Sequence, residues 1–311
     1  MCEGNQTEVT EFLLLGFRGL YKYKFLLFIV ILFSYLVILT GNLLIIVLVS
    51  TKDHLNIPMF IFLKHLAVAD ILISTTIIPM MLDVIVLEEK RVSVSGCMVQ
   101  LYLFFLFGFV QCFLIAVMSY DRYLAICCPI RYNSRMHPQL CLKMVFGSWS
   151  LIFFVSFEIF LVLQLEFCGQ NGIDHFFCDI GPLVKLSRSD ASLLLLVDFI
   201  MSIVVVFSPF ALIIISYICI FFTIMTLPST GGRRKAFSTC SSHLATVCTY
   251  YGTIMMIYSP PLDDNSLSMN KFKSLLYLVV SPMMNPIIYS LRNPEIRRTL
   301  QQIVRRLRGL N

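Results

Sequence analysis

Seven long apolar runs, at roughly residues 25–49, 58–82, 98–120, 144–165, 193–227, 236–260 and 274–291, constrain this chain more than any motif it contains. A helix needs ~20 apolar residues to cross a bilayer core ~30 Å thick, and each run meets or nearly meets that length. The runs are too long and too uniformly apolar for barrel strands, which alternate over ~10 residues. Composition agrees. With 58% hydrophobic and 14% charged residues over 311 positions, there are too few charges to coat a soluble globule of this size. The expected fold is therefore an all-α membrane protein, a seven-transmembrane helix bundle.

No internal repeat or low-complexity tract interrupts the layout, and the inverted-repeat plan of many transporters finds no support. The first run starts after a mixed-charge segment and is too long for a signal-peptide core, so it reads as a retained span. The expected divisions are an extracellular N-terminal segment 1–24, a bundle 25–291 and a cytoplasmic tail 292–311. Of the 24 Lys and Arg, fourteen fall on the cytoplasmic side if the N-terminus is outside, nine fall on the other side, and Lys64 lies near the inner end of the second run. The positive-inside rule favours that orientation. The sequon Asn5-Gln6-Thr7 would then face the lumen, with Asn5 a glycosylation site.

Eleven cysteines suggest a disulfide framework until they are placed on this topology. Only Cys2, Cys97, Cys168 and Cys178 would meet an oxidising compartment. Cys97, at the outer end of the third run, and Cys178, in the loop after the fourth, are the best partners, because their bridge pins the longest outer loop over the bundle mouth. Cys112, Cys219 and Cys248 read as free buried thiols.

Asp121 and Arg122 follow the uncharged run 98–120, at the headgroup boundary where charges at a helix end are tolerated. An Asp that neutralises its neighbouring Arg in one state and releases it in another is a latch that a ligand can bias.

Seven stretches carry a family resemblance: Gly41-Asn42, IPMFIFLKHLAVAD ending at Asp70, MSYDRYLAICCPIRY, HFFCDIGPLVKLS, SYICI from Ser216, RRKAFSTCSSHL and PMMNPIIYSLRNPE. On these the chain resembles an olfactory receptor of the rhodopsin-like G-protein-coupled receptor superfamily, from about residue 10 to about 300. KAFSTCSSHL marks the olfactory group in particular. The resemblance implies binding of a small odorant, coupling to a heterotrimeric G protein of the stimulatory olfactory type, and a rise in cyclic AMP. No enzyme activity, cofactor, metal or nucleic-acid partner is expected.

Physically, Asp70 and Asn42 are polar groups deep in apolar helices and are costly unless partnered; Asn285 is the natural third member. An inert interhelical hydrogen-bond knot is the bland alternative to the activation role that the resemblance implies. Pro286 breaks the helical ladder beside Asn285. By resemblance, Asp121, Arg122, Tyr123, Tyr217 and Tyr289 serve activation at the inner face. The tail PEIRRTLQQIVRRLRGL places Ile296, Leu300, Ile303, Val304 and Leu307 at helical spacing among five arginines. That is a short amphipathic helix suited to anionic membrane lipid.

The resemblance places the ligand cavity between spans three, five and six. The faces chosen are Phe104, Phe105, Gly108, Phe109 and Cys112 on span three, Met201, Ser202 and Val205 on span five, and Tyr251, Met255 and Tyr258 on span six. Plain helix packing is the alternative for each. Relatives carry a Cys where Arg188 stands, so Cys168 is expected to lack its usual partner. They often carry Glu where Gln111 stands, so a sodium or proton site beside Asp70 loses its support. Glu158 and Asp198 are carboxylates inside apolar runs with no basic residue in either span. Either they bond to neighbours such as Ser156 and Ser202, or Asp198 faces the cavity and selects amines, with Glu158 as its outer partner. The rival classes are weaker. Asp70, Glu158 and Asp198 are too scattered for an ion filter, and no HExxH, GxSxG or glycine-rich phosphate loop is present. Within receptors, a non-olfactory chemosensor is the remaining alternative.

Overall fold

The computed structural model describes residues 9–17, 22–258, 266–307 and 309. Asn5 and Cys2 lie outside these residues, and so does the side chain of Tyr258.

The first three spans are α1 (Lys24–Thr51), α2 (Pro58–Leu87) and α3 (Val94–Cys127). Pro58 opens α2 at a position whose N–H has no helical partner in any case. Ser93 caps α3, its hydroxyl accepting from the Gly96 amide at 3.1 Å. A short α4 (Pro129–Arg135) follows, and the fourth span is built from α5 (Pro138–Trp149) and α6 (Ile152–Val162). An outer helix, α7 (Ile180–Leu186), precedes the fifth span, which is α8 (Ser192–Met201), a π-helical segment Ser202–Phe207 and α9 (Ser208–Thr226). The sixth and seventh spans are α10 (Thr230–Tyr258) and α11 (Ser266–Arg292), and α12 (Pro294–Leu307) follows them.

Among the described residues, five of these spans are by themselves long and apolar enough to cross a membrane. The exceptions are explained by composition: α10 begins in the polar stretch RRKAFSTCSSH, and α11 in SLSMNKFKS. Both pack into the bundle, α10 against α11, α3 and α9, and α11 against α1 and α2. Large apolar side chains such as Phe25, Phe33, Phe146, Phe153 and Phe222 point outward, as they do where lipid is the solvent.

One element departs from an all-helical reading. Glu11–Leu14 (β1), in the segment read as an N-terminal tail, pairs antiparallel with Lys90–Ser93 (β2) and parallel with Gly172–Ile173 (β3). The three strands lie in the order β2-β1-β3. Phe12 and Leu14 are fully buried by this cap, and alternation of the flanking residues toward solvent is what lets so short a strand hold.

Candidate functional site

The outer half of the bundle encloses a cavity of about 280 Å³. From α3 it is lined by Phe104, Phe105, Gly108, Phe109 and Cys112, one helical face. Phe104 packs on Phe177 of the loop before α7 at 5.1 Å between ring centroids and edge-on to Tyr277 of α11 at 6.2 Å. Tyr250 of α10 donates to the Gly108 carbonyl at 2.9 Å, and its hydroxyl also contacts the Cys112 thiol at 3.1 Å. A Cβ on Gly108 would come within 3.1 Å of the Tyr277 hydroxyl, so the glycine lets the seventh span approach here.

The other two faces differ from those read in the sequence. On the fifth span Leu195, Asp198 and Val206 line the cavity, whereas Met201 and Val205 are buried without reaching it, and Ser202 does not line it. The π-helical segment inserts an extra residue per turn at Ser202–Phe207 and so moves the inward position from Val205 to Val206. On the sixth span Tyr250, Ile254 and Ile257 face the cavity. Tyr251 instead packs against Phe210 with ring centroids 4.5 Å apart and the planes tilted by 31°, and Met255 is 47% exposed. The phase is off by one residue, about 100° of helix. Glu158 does not line the cavity; it is fully buried on α6 and faces Asp198. Ser156 does not satisfy it, donating instead to the Ile152 carbonyl; the side-chain partner of Glu158 is the Asp198 carboxyl.

The loop between the fourth and fifth spans supplies lining that periodicity could not reveal, namely Phe177, Asp179 and Ile180. Cys178 and Cys97 form a disulfide that fixes this loop to the outer end of α3. The Cys178 amide also donates to Gln100 of α3 at 3.0 Å. Cys168 is disulfide-bonded as well, to a partner outside the described residues, so Arg188 does not leave it free. Cys112, Cys219 and Cys248 are free thiols, but only Cys112 is buried and Cys248 is exposed. Burial against the cavity pushes the Asp179 carboxyl up to about 6, with Asp198 adding to the effect, although the carboxylate accepts from the Ile180 amide at 3.0 Å. His175 is buried between Phe176 and Phe177, and desolvation together with the nearby Lys271 lowers it to about 3. Lys271 itself bonds to Asp174 at 2.5 Å and to the Gly16 carbonyl at 2.7 Å, joining α11 to the loop and to the N-terminal cap. A smaller vestibule of about 180 Å³, lined by Lys185 and Lys273, shares Asp179 with the cavity.

A polar chain leads inward from the cavity floor. Tyr277 donates to Gln111 at 3.4 Å, Gln111 to Asp70 at 2.7 Å, and Asn285 to the other Asp70 oxygen at 2.8 Å. Gln111 thus supplies the donor that a second carboxylate could not. Asn42 does not join Asp70 directly; its amide donates to the carbonyls of Ile38 and Pro282. Pro286 has no N–H to offer the Pro282 carbonyl four residues earlier, and Asn42 satisfies it at 3.1 Å.

At the inner end Asp121 and Arg122 form an ion pair through Nε and Nη2 of the guanidinium. Rather than meeting headgroups, Asp121 is fully buried and Arg122 nearly so, because α3 continues past them to Cys127. Tyr132 of α4 donates to the free Asp121 oxygen at 2.8 Å. Burial and that carboxylate push the Tyr132 phenol up, keeping it a donor. Tyr123 packs against Ile220 and Ile224, and Tyr217 shares a 2.6 Å hydrogen bond with His243, whose other nitrogen meets the Ile115 carbonyl at 3.2 Å. Tyr289 is fully buried within electrostatic reach of Arg122. His243 and Tyr132 were not singled out in the sequence, although both stand inside the quoted motifs.

Comparison with known proteins agrees with this architecture. The olfactory receptor family profile matches residues 31–306. Mouse olfactory receptor 5P81 is 46% identical over 307 residues, covering 96% of each chain, and human olfactory receptor 11L1 is 42% identical, covering 98% of this chain and 95% of that one. Squid rhodopsin superposes with a TM-score of 0.74 over 91% of this chain and 85% of its own, at 20% identity, which speaks to the fold alone. The chain is a multi-pass membrane receptor that belongs to the olfactory receptor family.

Proposed function

We propose that this receptor binds a small, volatile odorant in the outer cavity and thereby activates a heterotrimeric G protein of the stimulatory olfactory type, raising cyclic AMP. The observation that carries the proposal is that one helix, α3, lines the cavity with Phe104 to Cys112 and ends in the buried Asp121–Arg122 pair. A ligand that favours one packing of α3 against α10 and α11 biases the latch at its far end. The chain from Tyr277 through Gln111 to Asp70 and Asn285 is the second link, and Pro286 supplies the weak point in α11. In this reading Tyr123, Tyr217 and Tyr289 rearrange around Arg122 once Asp121 releases it.

The same reading takes the N-terminus as extracellular and the C-terminus as cytoplasmic. Besides the count of basic residues, the disulfides of Cys97, Cys168 and Cys178 gather at the cavity end, whereas the thiols of Cys127, Cys128 and Cys240 at the latch end are free. Segment 1–24 is then extracellular with Asn5 glycosylated, residues 25–291 span the membrane, and α12 lies on anionic lipid of the inner leaflet. Odorant-evoked cyclic AMP, measured beside odorant-evoked current in cells without other odorant-gated channels, tests the proposal. Cyclic AMP without intrinsic current is the expected result; a current that needs no G protein would overturn it.

A further inference from the structure

The cavity has a charge pattern that an apolar odorant leaves unanswered. Two carboxyl groups line it, Asp198 from α8 and Asp179 from the loop, and among the described residues its lining holds no Lys, Arg or His. The two are near enough for Asp179 to feel the charge on Asp198. Glu158 of α6 faces Asp198 from behind, fully buried, and the two carboxyls interact side chain to side chain. None of the three carboxyls is ion-paired among the described residues. Lys185 and Lys273 reach Asp179 only from the vestibule side, so on the cavity side the carboxyls meet no basic group among the described residues, and a neutral hydrocarbon ligand would seal them from water without a partner.

We infer that the cavity selects small protonated amines, the ammonium seated between Asp198 and Asp179 and the apolar body packed on the rings of Phe104 and Tyr277. This rests on the odorant-receptor reading and adds the chemical class of the ligand. An ammonium has three donors and no acceptor, which matches a site whose nearest polar groups are acceptors. Aromatic faces add attraction for a cation. Glu158 acts through Asp198 as a positioning residue, holding that carboxyl at the cavity wall. At about 280 Å³ the cavity falls just below the ~300–1,000 Å³ usual for drug-sized ligands, so a compact amine fits and a long one does not.

The test is a panel of primary amines with five to ten carbons, each with its matched alcohol and hydrocarbon, applied to cells expressing the receptor with cyclic AMP and calcium reporters in parallel and surface staining as control. Amines are expected to be the most potent member of their matched sets. Asp198→Asn should weaken amines about 30-fold, about 2 kcal/mol at ~1.4 kcal/mol per tenfold, and alcohols by no more than about threefold. Asp198→Glu should retain the amine preference, which separates loss of charge from loss of fold, and Glu158→Gln should reduce it partially. Alcohols or hydrocarbons that match or exceed the amines, or a uniform shift across the panel in Asp198→Asn, would overturn the inference and leave the receptor reading standing. Silence of the surface-expressed receptor to every compound in both reporters would overturn both.

Discussion

Gly41 of α1 lies so close to Pro286 of α11 that a Cβ on the glycine would stand 2.9 Å from both Cβ and Cγ of the proline ring. The next residue, Asn42, donates to the Pro282 carbonyl that the same proline leaves without its helical donor. Adjacent residues of the first span therefore serve one break in the seventh, one by making room and the other by supplying a hydrogen bond. Gly41→Val is expected to destabilise the purified receptor by ~1–3 kcal/mol through overpacking. Asn42→Leu should cost ~1–3 kcal/mol by leaving the Pro282 carbonyl unsatisfied. Thermal unfolding in detergent measures both, and unchanged midpoints would sink the assignment.

The latch makes two opposite predictions. Arg122→Ala should reach the surface and lose ligand-evoked cyclic AMP, because in the proposed latch the active state uses the released guanidinium. Tyr132→Phe removes one of the hydrogen bonds that hold Asp121 and should raise basal cyclic AMP two- to fivefold, on the order expected for ~0.5–1 kcal/mol of lost inactive-state stabilisation. A silent Tyr132→Phe receptor with normal surface staining would count against the latch.

Loss of the outer bridges should be equally severe for all three cysteines. Since Cys168 is bonded as Cys97 and Cys178 are, Cys97→Ser, Cys178→Ser and Cys168→Ser should each abolish most surface staining, removal of a native disulfide commonly costing ~2–5 kcal/mol. Normal trafficking of Cys168→Ser would show its bridge to be dispensable.

His175 gives the outer cap an acid limit. It is held neutral down to about pH 3 in the fold, against 6.5 when solvated, so unfolding takes up a proton at any pH between these values. Stability is unaffected above 6.5 and falls as pH drops through the window from 6.5 toward 3, by ~2 kcal/mol at pH 5. Unfolding midpoints between pH 7.5 and 5 should decline in the parent and decline less in His175→Asn. Parallel curves for the two proteins would show that another group sets the limit.

The first five spans were legible because length and apolarity alone decide them, and α3 was legible in detail because its face of Phe104, Phe105, Gly108, Phe109 and Cys112 is continuous. Span five is apolar all round, and span six carries adjacent tyrosines at 250 and 251, so no period pins their phase; the reading chose Tyr251 where Tyr250 faces the cavity. The π-helical turn at Ser202–Phe207 has no compositional mark, and it shifted the inward residue by one. Strand β1 is four residues long and gains its meaning only from β2 and β3, which are far away in the chain. Gln111 was visible as a departure from relatives, but its worth as a donor to Asp70 needed the geometry. Glu158 and Asp198 stood out as acids in apolar runs; that they face each other required the packing of α6 on α8.

The central claim, that ligand binding at one end of α3 is read by a stimulatory G protein at the other, is tested most directly by measuring odorant-evoked cyclic AMP in paired cell lines with and without stimulatory α subunits. The account predicts a concentration-dependent rise that is lost when those subunits are deleted, restored when the olfactory subunit is returned, and absent with Arg122→Ala at equal surface density. A rise that persists without the stimulatory subunits, or an undiminished response from Arg122→Ala, would contradict it.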